Sequence, residues 1–302
     1  MPMSSVGTAA ALALGSALCV AVGDVLQQRA TQRLTNTAVG GLRFYATLLH
    51  NRRWRWGATL LLVSIALQAE ALDQGSVLLV QALLVLSLLF ALPISARMVP
   101  RRVTGFEWSW AAVLTAAVIV IVTVGNPQAG QARGTAETWA LVAGVLVPLL
   151  AGCVVAARIR GGALAAVLLA FVSGSLWAVF AVLTKGVMAQ LHHGPIAAAT
   201  SPELYAWLLV AIGGFAWEQS AFRAGSLTAS MPTLEVSQPL VAAALGVVVL
   251  GETLNTGPLG MAVLALAVVA MTVATVQLAR ADAVATHSRI QAQLSGAAAD
   301  RA

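Results

Sequence analysis

The chain has 302 residues, of which 59% are hydrophobic and only 9% charged, with a mean hydropathy of +0.87. Soluble domains carry roughly a quarter charged residues, so this composition excludes a soluble domain with an anchor and describes a polytopic membrane protein. The net charge of +6 rests on arginine, since Lys185 is the one lysine, and membrane topology rather than nucleic acid accounts for it.

A membrane-spanning helix needs about 20 mostly apolar residues, and nine stretches qualify: 5–29, 56–74, 77–96, 107–125, 138–157, 163–190, 204–223, 229–250 and 257–279. The first has no Lys or Arg in Met1 to Thr8 and continues straight into a span, so it reads as a helix rather than a cleaved signal peptide. Connections are short except for 31–55, which is Arg-rich and bordered by Trp54 and Trp56. Those tryptophans, with Trp108, Trp110 and Trp139, stand where interfacial aromatic belts are expected. The segment after Arg280 is Ala-rich and polar and is expected to be loosely ordered. Cys19 and Cys153 both fall inside apolar segments, as packing residues do, and no paired loop cysteines exist.

Arginine placement fixes the count and the orientation. Arg29, Arg33, Arg43, Arg52, Arg53 and Arg55 lie in or beside the first connection; Arg97, Arg101 and Arg102 in the third; Arg158 and Arg160 in the fifth; Arg223 in the seventh. Arg280, Arg289 and Arg301 follow the last span, and only Arg133 falls to the other side. With nine spans, the positive-inside rule puts the N-terminus outside and the C-terminus in the cytoplasm, in a plasma (inner) membrane.

Three matches recur in the same order at a nearly constant offset. Val25-Leu26-Gln27-Gln28 resembles Val182-Leu183-Thr184-Lys185; Leu67 to Ser76 resembles Trp217 to Ser226; Gln81-Ala82-Leu83-Leu84 resembles Gln238-Pro239-Leu240-Val241. The expected fold is therefore an all-α polytopic membrane protein of nine transmembrane helices: two inverted four-helix repeats joined by one central helix. Residues 1–126 form the first repeat, 127–162 the linking helix, 163–280 the second repeat and 281–302 a cytoplasmic tail. Inverted repeats are a transporter architecture with the site near the membrane midplane.

The stretch from Pro232 to Gly260 is the densest in signals. Glu235 and Gln238 sit ahead of a continuous apolar run, flanked by Pro232 and Pro239, so the backbone there need not be regular helix. The run closes on a Gly251-Glu252 turn, and Gly257 and Gly260 open the last span. The sequence Gln238-Pro239-Leu240 through Leu250-Gly251-Glu252-Thr253-Leu254, with Gly257 to Gly260 after it, resembles the signature of the drug/metabolite transporter (EamA-like) superfamily. Within it, the nine-span count, the VLQQRA stretch and the tight second hairpin resemble the NIPA-type magnesium transporters. The chain has Gln27-Gln28-Arg29 where that family carries a lysine-rich run, and Ile94-Ser95 where a repeated Gly-Glu would stand. The resemblance implies secondary transport of a small polar or cationic metabolite or drug by alternating access, coupled to protons through intramembrane carboxylates, or NIPA-like transport of magnesium or another divalent cation; a non-transporting membrane component of envelope assembly is the further alternative.

Ionisable groups at membrane depth cost roughly 2.5–3.5 kcal/mol to insert and so face a partner or a cavity. Asp24, Glu70, Lys185, Glu218 and Glu235 are such groups. Glu70 and Lys185 are placed toward the outer half, where they are expected to pair, as a structural lock between repeats or as an outer gate. Glu218 and Glu235 lie toward the cytoplasmic half and can share a proton or capture a cation; magnesium, which keeps several waters and accepts one or two carboxylates, would use them as its metal ligands. Asp24 is either a coupling residue or a partner of Gln28 or Arg29 on its own helix. Gln81 and Gln238 occupy matched places and are suited to hold substrate from both sides, or to join helices. Glu252, at the outer turn, is expected to be a capping or structural residue. No nucleotide loop, Gly-x-Ser-x-Gly or paired His-Glu motif appears, and His192-His193 alone make a poor metal site. No enzyme activity and no cofactor is expected. The expected partners are membrane lipid and a small-molecule or cation substrate, with no nucleic acid; a homodimer is left open.

Overall fold

The computed structural model describes residues 3–35, 51–98, 103–224 and 227–299. Arg43, Arg101, Arg102 and Arg301, and the Gly225-Ser226 end of one repeat match, lie outside the described residues, as do the side chains of Gln27, Gln28, Arg29, Arg33, Arg53 and Arg289. The described chain is a helical bundle: α1 (Met3–Thr35), α2 (Arg52–Gln74), α3 (Val77–Leu84), α4 (Ser87–Met98), α5 (Gly105–Gly125), α6 (Ala136–Arg160), α7 (Gly162–His192), the short α8 (Pro195–Thr200), α9 (Pro202–Ala224), α10 (Leu227–Leu250) and α11 (Pro258–Ala299). Two-residue strands, β1 (Pro127–Gln128) and β2 (Thr253–Leu254), pair antiparallel with Pro127 opposite Leu254 and Gln128 opposite Thr253.

Local chemistry sets the helix ends. Ser76 caps α3 by accepting the Leu79 N–H. Thr104 and Glu107 form a reciprocal capping box at the start of α5, and Thr135 caps α6. Gly161 and Gly251 take positive φ (65° and 63°) at the α6–α7 and α10–β2 turns, a conformation that glycine adopts without strain.

Among the described residues, eight segments are long and apolar enough to cross a membrane: Val6–Leu26, Trp54–Gln74, Val77–Ile94, Gly105–Gly125, Ala136–Arg160, Gly162–His192, Ala229–Leu250 and Pro258–Ala281. The remaining expected span is α9, a 23-residue helix that carries Glu203, Glu218 and Arg223 and is not among these eight. Three further expectations give way. The third span is not one helix: α3 and α4 meet at a tightened turn in which Leu86 N–H bonds Leu83 and Leu88 N–H bonds Val85 (3.1 and 3.3 Å), an i to i−3 pattern. Conversely α10 is a continuous helix with both Pro232 and Pro239 inside it. Next to the prolines, the hydroxyls of Thr233 and Ser237 bond the Ala229 and Leu234 carbonyls of the same helix (3.0 and 3.3 Å). Finally, the segment after Arg280 is helical, α11 running on to Ala299.

α7 is the axis. It packs against α2, α6, α9 and α10, and its buried side chains are mostly small: Ala165, Ala166, Ala170, Ser173, Gly174, Ser175, Ala178 and Ala181. Small residues let helix backbones approach closely where no water drives them together. α1 packs against α2, α3 and α4; α5 packs along α11. α6 is the reverse of α7, with Leu141, Val145, Leu149 and Ile159 exposed as a lipid-facing helix requires.

Candidate functional site

One end of the bundle gathers the connections 74–77, 126–135, 193–201 and 251–257. There Lys185 Nζ, buried on α7, donates to the Gly75 carbonyl at 2.7 Å and lies 3.4 Å from Glu252 Oε1. Glu252, also buried, accepts the Val77 N–H at 2.6 Å on Oε1 and the Leu78 N–H at 3.0 Å on Oε2. The carboxylate thus closes the N-terminus of α3, while the ammonium binds the carbonyl just past the end of α2. Both helix ends would otherwise carry unmet backbone groups in a dry place. Lys185 is therefore paired with Glu252 rather than with Glu70. Glu70 lies half-buried on α2 and accepts a bond from Gln74 Nε2 at 2.6 Å, and Gln74 in turn accepts from Thr8 of α1 at 2.5 Å. Around this core run two exposed links: Asp73 with His192 (2.9 Å), and Arg133 with Glu203. The loop after β1 closes over the turn, Gln131 N–H bonding the Leu250 carbonyl at 2.7 Å.

Further along α7 lies a second polar group. Ser173 Oγ bonds the Gly214 carbonyl at 2.8 Å and so fixes α9 against α7. Trp177 donates its indole N–H to Glu218 Oε2 at 3.0 Å, stands edge-on to Phe180 (5.4 Å), and Phe180 stacks on Trp207 (4.8 Å). The Trp177 indole is the partner that Glu218 has among the described residues, and no cation neutralises it there. Gln81 of α3 is 2% exposed, and its Nε2 makes no hydrogen bond among the described residues; Ser175 Oγ of α7 is likewise buried and unpaired among them. Buried donors of this kind are rare in folded proteins. Gln238 is half-buried on α10, where Gly174 of α7 presses so closely that a Cβ there would sit 3.2 Å from the Gln238 backbone nitrogen. Glu235 is half-buried one turn earlier on α10, and Asp24 is exposed on α1. Among the described residues no three His, Cys, Asp or Glu side chains gather as a metal site.

Trp177, Phe180, Trp207 and Ser175 were not singled out from sequence. An aromatic spacing on an apolar helix looks the same whether it lines a site or a core. The Lys185–Glu252 pairing had one readable signal: both fall toward the same end, the lysine near the end of its span and the acid on the following turn.

These features define an integral, multi-pass, all-helical membrane protein with charged and polar side chains held inside its bundle. Over 243 residues it is 35% identical to an uncharacterized protein of Corynebacterium glutamicum, a match covering 80% of this chain and 83% of the relative. The chain belongs to the same family as that corynebacterial protein. No family model matches it, and no solved structure matches it.

Proposed function

We propose that the protein is a secondary transporter of the drug/metabolite transporter superfamily that moves a small polar or cationic solute by alternating access, coupled to protons through Glu218. The observation that carries this reading is the Glu218 carboxylate inside the bundle with an indole N–H and, among the described residues, no cation as its partner. A carboxylate so placed is expensive to keep and is expected at a substrate or ion pathway. The helix break at Val85–Leu86, with the unpaired Gln81 amide one turn away, adds to it, because transporter sites are built on interrupted helices.

In this reading α9 is the seventh of nine spans; 23 residues reach about 34 Å, enough to cross. The packing supports two repeats: α1 lies against α2 and against α3–α4, and α7 lies correspondingly against α9 and α10. The fourth and ninth spans, α5 and α11, then pack together across the repeats. The Arg-poor end carrying Lys185 and Glu252 faces outward, and Arg97, Arg158, Arg160 and Arg223 face the cytoplasm of the inner membrane.

The test is solute flux into sealed proteoliposomes under an imposed pH gradient, with a panel of organic cations and polar metabolites and with magnesium as a separate arm. The gradient should drive uptake of at least one organic solute in the wild type, and Glu218→Gln should abolish it. Flux indifferent to the gradient, or undiminished in Glu218→Gln, defeats coupling through this residue. Magnesium flux that needs both Glu218 and Glu235 would replace the organic solute with a divalent cation.

A further inference from the structure

At the arginine-bearing end of the bundle, α6, α7 and α9 splay apart around a groove of about 310 Å³. Val154 and Ala157 of α6, Leu169 of α7 and Trp217 of α9 wall it, and Arg158 and the Gly161-Gly162 turn line one end. Its volume falls at the low end of the roughly 300–1,000 Å³ typical of small-ligand sites. The walls are apolar and belong to membrane-crossing helices, so what reaches the groove comes from the bilayer. From Gly162 to Leu169 is seven residues of helix, or about 10 Å of depth below the turn.

The charge at its upper end is uncompensated. Arg158 is exposed and makes no ion pair among the described residues; Arg160 and Arg223 are exposed nearby in the chain and make none either. Glu218 follows Trp217 directly, but its carboxylate is turned to the Trp177 indole. An unpaired guanidinium above an apolar slot matches one kind of molecule, with an anionic phosphate at one end and a hydrocarbon chain at the other. Guanidinium and phosphate bond in a fork geometry, and basic pockets between spans on the cytoplasmic side are suited to anionic headgroups.

We propose that this groove is a binding site for an anionic phospholipid, with one acyl chain lying between Val154, Leu169 and Trp217 and the phosphate on Arg158. A lipid there would fill the gap between lipid-facing α6 and the α7–α9 pair. The groove would thereby fasten the linking helix to the second repeat.

Native mass spectrometry of the full chain, released from detergent after incubation with phosphatidylglycerol or phosphatidylcholine, tests it. The wild type should retain one phosphatidylglycerol with about tenfold preference over phosphatidylcholine, the scale of a charge-assisted hydrogen bond. Arg158→Gln should erase the preference while leaving weak retention of both lipids. Val154→Trp, which fills the slot and keeps the arginine, should lower retention of both. Thermal unfolding in the same detergent separates these effects from misfolding, and for a variant that does not fold, chain-brominated phosphatidylglycerol should quench wild-type fluorescence more than Trp217→Phe fluorescence. Equal retention of the two lipids, a preference surviving Arg158→Gln, or displacement of the lipid by millimolar inorganic phosphate would overturn the proposal.

Discussion

The Lys185–Glu252 pair allows the sharpest prediction. Glu252 holds two backbone N–H groups and an ammonium, and both charged side chains are almost wholly removed from solvent, at 5% and 0% exposure. Lys185→Met takes away the ammonium, leaves the carboxylate charged and strips the Gly75 carbonyl of its donor. Removing one member of a buried pair costs about 3–5 kcal/mol, a large share of a total stability of roughly 5–15 kcal/mol. Glu252→Gln keeps one acceptor for the α3 N-terminus but turns an amide N–H₂ toward a second donor or toward Lys185, so it should be comparably damaging. The double variant Lys185→Met/Glu252→Gln has neither charge, and its loss should fall short of the sum of the singles by about 1–3 kcal/mol. Unfolding of the purified chain in one fixed detergent supplies all four corners of the cycle. Glu70→Gln is the control: Glu70 is half-buried and bonded to Gln74, and its loss should cost under about 1 kcal/mol. If the two single losses simply add, to within about 0.5 kcal/mol, then the two residues act independently and the clamp is not a unit.

Gly174→Ala should destabilise by about 1–3 kcal/mol, since its Cβ would meet Ser237 Oγ and press on the Leu234 carbonyl, whereas Gly152→Ala, open on all sides, should be near neutral; the same unfolding assay compares them. Gln81→Leu removes an unpaired buried amide and should leave the melting temperature unchanged or higher while lowering solute flux; loss of stability without loss of flux would make Gln81 a packing residue. In a background with Cys19 and Cys153 replaced by alanine, Gln131→Cys should react with a membrane-impermeant maleimide on intact cells and Arg160→Cys only after permeabilisation. The reverse pattern would invert the topology. His192→Ala breaks an exposed link to Asp73 and should shift stability at neutral pH by less than about 1 kcal/mol.

Most of the fold was readable because the membrane demands long apolar runs, and the eight apolar spans found start and stop within a few residues of them. The details that escaped are those set by contacts between distant segments. Pro232 and Pro239 look like a broken helix on paper, yet a span buried against α7 keeps its helical path around them. Val85 and Leu86 carry no glycine or proline and give no warning of the turn that divides their span. Glu70 and Lys185 seem well matched by depth, but depth along a helix does not say which way a side chain faces. The carboxylate that reaches Lys185 comes instead from a turn after α10. Glu218, by contrast, was singled out from its residue type alone, as an acid inside an apolar span, whereas the Trp177 indole that bonds it was not.

The capping of α3 by Glu252 also bears on how the protein is made. The Val77 and Leu78 amides receive their acceptor from a residue 175 and 174 positions later in the chain. At about 5–20 residues per second, a ribosome needs roughly ten to thirty-five seconds to cover that distance. During that interval the first half is already threading into the bilayer with the start of α3 open. β1 waits on β2 in the same way. The early helices therefore enter as an unfinished assembly, and a message cut short before Glu252 would yield a product whose exposed backbone marks it for quality control. Half of this gene would not encode half of a working protein.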